Sequence, residues 1–259
     1  MLRPQKIGAF FLNHFFQKFV YQFMKRIFFI SFSFAALYLL IACNKQTKTE
    51  TMPAIINTGS FKTYLALGDS YTIGQSVNEN ERFPAQAVTL LKIDSINFNA
   101  PEYIAVTGWT TRNLLNAIAS TPPSKSTYDF VTLLIGVNNQ YQGRSQTEYA
   151  TEFTELLNKA IQFAGNRPER VAVLSIPDWG VTPFANGKDR NEIARQIDAF
   201  NAINKQITLD KAVKYIDITP SSRMAVTDAS LVAGDGLHPS GKEYQKWAAM
   251  LAPVIKAAL

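Results

Sequence analysis

From residue 61 onward, short apolar runs alternate with longer segments of helical period. Residues 61–67, 101–107, 130–135, 170–176 and 213–218 are compact and rich in Val, Ile, Leu, Tyr and Phe, as strands are. Residues 130–135 are nearly all apolar, which predicts a central strand buried on both faces. Between the strands lie stretches with apolar residues three and four apart. Residues 83–92 carry Phe83, Ala87, Leu90 and Leu91, and residues 111–119 carry Leu114, Leu115 and Ile118. Tyr149, Phe153, Leu156, Leu157, Ala160 and Phe163 form one stripe over residues 147–164. Residues 190–207 repeat the scheme with Ile193, Ile197, Phe200, Ile203 and Ile207. A last helix is expected over residues 240–258, capped by Ser240 just after Pro239. Strands alternating with helices predict an α/β domain over residues 59–259: a parallel sheet of about five strands with helices on both faces, a three-layer αβα sandwich. In such a domain, ligands bind at the carboxyl ends of the strands.

The amino end follows a different pattern. Lys25 and Arg26 precede an uncharged run over residues 27–42, which is the order of a secretory signal with Met24 as a candidate start. Leu40-Ile41-Ala42-Cys43 resembles the lipobox of bacterial lipoproteins, whose precursors are cut before the cysteine and lipidated on its thiol. Residues 1–42 are therefore expected to be a signal segment and residues 43–58 a polar tether. That places the domain on the bacterial cell envelope, membrane-held through lipidated Cys43, with the periplasmic face of the outer membrane favoured. A plain membrane anchor, or a cleaved soluble form, remains the alternative; the run is shorter than the roughly 20 residues a spanning helix needs.

Charge changes the picture once this segment is set aside. The chain has 26 basic and 20 acidic residues, but Arg3, Lys6, Lys18, Lys25 and Arg26 all precede Cys43 and no acidic residue does. The remainder is almost neutral and has no concentrated basic tract, so nucleic acid is not an expected partner. Cys43 is the only cysteine, which excludes an intrachain disulfide and a thiolate zinc site. No cofactor or metal is expected.

The candidate chemistry falls at predicted strand ends. Ser70 follows the first strand in Leu67-Gly68-Asp69-Ser70, where Gly68 permits a tight exit; an ordinary turn or cap would use the same residues. Gly108 ends the second strand and can present a bare amide. Asn138 follows the third, in Gly136-Val137-Asn138-Asn139, where its side-chain amide can donate into a site. Asp235 and His238 stand three apart just before the last helix, and His238 is the only histidine beyond His14. A serine, a histidine and an orienting carboxylate are the parts of a nucleophilic relay. Trp179, Trp109, Tyr71 and Tyr141 are placed near the same mouth.

These blocks together resemble the SGNH (GDSL-type) hydrolase family over residues 64–259. Gly68-Asp69-Ser70 is similar to its nucleophile block, Gly108 to its oxyanion glycine, Gly136-Val137-Asn138 to its Gly-x-Asn-Asp block, and Asp235 to His238 to its Asp-x-x-His block. Asn139 departs from the family pattern, where aspartate is usual. The resemblance implies a flavodoxin-like fold and hydrolysis of carboxylic esters through an acyl-enzyme. Its catalytic residues would be Ser70, Asp235 and His238, with Ser70, Gly108 and Asn138 forming the oxyanion hole. The substrate would be a small-molecule, lipid or glycan ester. The competing expectation is a non-catalytic envelope lipoprotein that uses the fold to bind a glycan or lipid.

Overall fold

The computed structural model describes residues 61–259. The signal segment, the tether, Cys43 and the first two residues of the expected domain lie outside the described residues. Among the described residues, no helix is long and apolar enough to cross a membrane.

Five parallel strands form one sheet: β1 (Tyr64–Asp69), β2 (Glu102–Val106), β3 (Phe130–Leu134), β4 (Val171–Leu174) and β5 (Lys214–Ile216). The spatial order is β2-β1-β3-β4-β5, the flavodoxin-like doubly wound order. The register pairs Leu67 with Ile104 on one side and with Leu133 on the other. As expected for strands covered on both faces, β1, β3 and β4 are buried along their whole length. A hydrogen bond of 2.9 Å between the Tyr64 hydroxyl and Thr132 Oγ1 ties β1 to β3 inside this core.

The helices are α1 (Ser70–Ile73), α2 (Phe83–Ile93), α3 (Thr111–Ser120), α4 (Val137–Tyr141), α5 (Gln146–Phe163), α6 (Arg190–Asp210), α7 (Thr219–Arg223) and α8 (Gly241–Ala258). α2 packs on α8, while α3, α5 and α6 pack in succession. Trp247 of α8 is fully buried and donates its indole N–H to Glu243 Oε1 at 2.7 Å, which satisfies the one polar atom of a large apolar ring. Ser240 caps α8 by accepting the Glu243 amide.

Two boundaries differ from the sequence expectation. The first strand starts three residues later, because Phe61 is largely exposed and Lys62 makes only an isolated bridge with Phe98. It also runs two residues further, through Gly68 and Asp69. A Cβ at Gly68 would collide with the Leu134 carbonyl and the Thr72 side chain, so glycine is what lets the strand continue this close to β3. The fifth strand shortens to Lys214–Ile216, with Lys214 exposed at the sheet edge. Helices α1, α4 and α7 are too short to show a helical period and were not anticipated.

Candidate active site

The winding of the sheet reverses between β1 and β3, and the polar motifs gather at that switch point. Asp69, the last residue of β1, caps α1: its carboxylate accepts the Tyr71 amide at 3.0 Å. The capping role in this tripeptide therefore falls on Asp69 and leaves the Ser70 hydroxyl free of it. Ser70 is the first residue of α1 and nearly buried. Its Oγ lies 3.0 Å from His238 Nε2.

The loop before α8 is braced from several sides. Ala233 donates its amide to the His238 carbonyl at 2.7 Å, and Gly236 donates to the Ala233 carbonyl at 3.0 Å. Asp235 folds back within this turn. Its Oδ1 accepts the amides of Leu237 (2.9 Å) and His238 (3.0 Å), and its Oδ2 lies 2.7 Å from His238 Nδ1. A carboxylate can only accept, so Nδ1 carries the proton and Nε2 is left to accept from the Ser70 hydroxyl. The Tyr71 ring packs against the imidazole at a centroid distance of 5.1 Å.

A further residue supports Asp235. Ser76, in a left-handed conformation at φ 67°, donates its hydroxyl to Asp235 Oδ2 at 2.6 Å. Partial burial pushes the Asp235 carboxyl up, but the hydrogen bonds from Ser76, the His238 ring and the two amides outweigh it and hold the group well below the usual carboxylate range. Asp69 behaves oppositely. Burial raises it from its ordinary 3.8 to about 7, although the Tyr71 amide and Asn138 act to lower it.

Gly108 adopts φ 83° in the turn after β2, with open space where a side chain would stand. Asn138 lies in α4, and its Nδ2 donates to the Trp109 carbonyl at 3.0 Å and reaches Asp69 Oδ2 at 3.4 Å. Ser70, Gly108, Asn138 and His238 all border one cleft of about 450 Å³, open solvent included. Its walls are mostly apolar: Val137, Trp179, Phe184 and Leu237, with the hydroxyl-bearing Tyr71, Thr107 and Tyr141 beside them. Tyr141, Trp179 and Phe184 pack mutually at centroid distances of 5.3, 5.8 and 6.0 Å. The Trp179 indole N–H is consumed by Gln140 Oε1 at 2.7 Å, so that wall offers ring surface and no free donor.

Of the aromatic residues expected at the mouth, Tyr71, Tyr141 and Trp179 line the cleft. Trp109 does not; its ring is partly buried against the core and its carbonyl orients Asn138. Ser76 and Phe184 had no sequence signal. Ser76 sits in an ordinary polar loop, and Phe184 reaches the cleft because its amide bonds the Gly236 carbonyl at 2.9 Å, a contact between distant loops.

The GDSL-like lipase/acylhydrolase family model matches residues 66–246, and the chain belongs to that family, whose members share ester-hydrolase chemistry. No curated protein matches the chain in sequence. Among solved structures, TesA is similar with a TM-score of 0.59 and 16% identity, over 76% of this chain and 100% of that one. The psychrotrophic esterase EstA from Pseudoalteromonas sp., inhibited by monoethylphosphonate, gives 0.55 and 19% over 76% and 97%. Axe2, an acetylxylan esterase from Geobacillus stearothermophilus, gives 0.57 and 18% over 75% and 94%. At these identities the likeness is one of fold.

Proposed function

We propose that this chain is a serine esterase in which Ser70 is the nucleophile, His238 the general base and acid, and Asp235 the orienting carboxylate. The observation that carries the reading is the continuous relay from Asp235 Oδ2 through the imidazole to Ser70 Oγ, at 2.7 and 3.0 Å, opening on an apolar cleft. His238 takes the Ser70 proton as the hydroxyl oxygen attacks the ester carbonyl. Asp235 keeps the imidazole in the Nδ1–H tautomer and stabilises the imidazolium. The amides of Ser70 and Gly108 and the side chain of Asn138 meet the developing oxyanion. His238 then protonates the leaving alcohol, and water releases the acid from the acyl-enzyme by the same path.

The cleft favours an acyl group over a sugar ring as its apolar occupant. Val137, Trp179, Phe184 and Leu237 offer no free donor or acceptor and suit an acyl chain, while the hydroxyl-bearing Tyr71, Thr107 and Tyr141 border the same cleft and leave room for a polar alcohol part. Esters of small acyl groups, or lysophospholipid-type lipids, are the substrates favoured. The lipobox-like residues 40–43 and the polar stretch after them support tethering of this activity to the envelope through lipidated Cys43. Mass spectrometry of the mature amino terminus from native membranes tests that part; an unmodified Cys43 refutes it.

The test of activity is a panel on the purified domain and its Ser70→Ala variant: p-nitrophenyl acetate, butyrate and octanoate, lysophosphatidylcholine and acetylated xylooligosaccharides. Hydrolysis of acyl esters that disappears in Ser70→Ala is expected. Failure on every substrate, with an unchanged fold, would favour the binding-module alternative.

A further inference from the structure

The position at which this chain departs from the Gly-x-Asn-Asp pattern sits in a fully connected buried network. Asn139 and Thr111 are fully buried and Glu152 nearly so. The Thr111 amide donates to Asn139 Oδ1 at 3.0 Å. A backbone N–H can only donate, so the orientation of the Asn139 amide is fixed, and its Nδ2 must face the Thr111 hydroxyl, to which it donates at 2.7 Å. The hydroxyl has one proton and donates it to Glu152 Oε2. Arg112 Nε donates to Glu152 Oε1 at 2.8 Å. The two side-chain bonds, from the Asn139 amide to the Thr111 hydroxyl and from that hydroxyl to Glu152, thus run the same way, towards the carboxylate at 152, while Arg112 donates into that carboxylate from its other side.

We propose that Asn139 is a positioning residue for the oxyanion hole, and that its amide identity is dictated by the carboxylate of Glu152. The network clamps the start of α3 to α4. The segment entering α3 carries Gly108 and the Trp109 carbonyl that orients Asn138; α4 carries Asn138 itself. The two bonds between Asn139 and Thr111 therefore set the spacing of two of the three oxyanion donors. Aspartate at 139 would place a second acceptor against a hydroxyl whose only proton already belongs to Glu152. A carboxylate here would be buried with the Thr111 amide on one oxygen and no donor for the other, a costly arrangement. The polarity can be reversed as a whole, however. With aspartate at 139 and glutamine at 152, Arg112 donates to the glutamine oxygen, the glutamine amide donates to Thr111 Oγ1, and the hydroxyl donates to the aspartate carboxylate. The Thr111 amide keeps its acceptor, and the net charge is unchanged.

The proposal rests on the esterase reading, and its test separates the two. Asn139→Asp, Glu152→Gln and the double variant are assayed beside the parent and Ser70→Ala on p-nitrophenyl butyrate, and their melting temperatures are recorded. Each single change is expected to lower kcat roughly tenfold, equivalent to about 1.4 kcal/mol of barrier, with KM within about twofold. The double variant should return to within about threefold of the parent, and its melting temperature should recover likewise. Losses that multiply in the double variant, or single changes without effect on kcat, overturn the pairing. A rise in KM alone overturns the positioning role. A parent without Ser70-dependent activity sinks the esterase reading instead, and the melting temperatures then still decide the pairing: recovery in the double variant upholds it and additive losses overturn it.

Discussion

Under the proposed mechanism, replacing Asn138 with alanine removes one donor from the oxyanion hole and leaves the Asp235–His238–Ser70 relay intact. In the resting site the two N–H bonds of Asn138 are held unequally. One donates to the Trp109 carbonyl at 3.0 Å, an ordinary hydrogen bond that fixes the side chain. The other reaches Asp69 Oδ2 at 3.4 Å, beyond the usual range, and can be redirected to an incoming oxyanion at little cost. Loss of one such donor costs about 3 kcal/mol of transition-state stabilisation, so kcat should fall roughly 150-fold. Asn138 contributes little apolar surface to the acyl wall, and KM should stay within about twofold. Asn138→Asp, which keeps the size and removes the donor while adding an acceptor, should be at least as slow as Asn138→Ala. Steady-state hydrolysis of p-nitrophenyl butyrate by the two variants and the parent provides the measurement. A loss of less than fivefold in kcat, or a change confined to KM, would refute the oxyanion assignment of Asn138.

Two further outcomes are expected. Ser76→Ala removes the 2.6 Å hydrogen bond to Asp235 Oδ2, and kcat should drop by about tenfold, near the roughly 1.5 kcal/mol at the low end for one bond to a charged group; unchanged kcat would show that the two backbone amides hold Asp235 without help. Asp69 is raised from 3.8 to about 7, so the folded chain keeps a proton that the unfolded chain has already released. Stability should therefore fall as pH rises from about 4 to about 7, by at most about 4 kcal/mol, and Asp69→Asn should escape this fall. The melting-temperature difference, variant minus parent, should grow between pH 4 and pH 8; a difference that stays constant or shrinks contradicts the buried acid.

Much of the fold could be read from periodicity alone, because the central strands are buried on both faces and are therefore continuous apolar runs. Residues 130–135 illustrate this, enclosing the β3 strand Phe130–Leu134. Edges were harder. At β5 the expected strand runs to Ile218 while pairing ends at Ile216, since pairing depends on a neighbour and not on local composition. Ser70, Gly108, Asn138, Asp235 and His238 stood out because each followed a predicted strand or preceded the last helix, and the structure gathers Ser70, Gly108, Asn138 and His238 around one cleft with Asp235 behind the imidazole. The supports of the site were not legible. Ser76 reaches Asp235 across 159 residues of sequence, and Glu152 reaches Thr111 across 41; such contacts are set by the packing of distant segments. Asn139 was visible as a departure from pattern, but its reason lies on α5, at Glu152.

Activation of Ser70 by His238 is tested most directly with a fluorophosphonate probe, which reacts with a serine only when its hydroxyl is made nucleophilic. Labelling followed by peptide mapping should give a single phosphonylated residue, Ser70, and His238→Ala should slow that labelling by about a hundredfold or more. Modification of another serine, or labelling of Ser70 at an undiminished rate without His238, would contradict the mechanism.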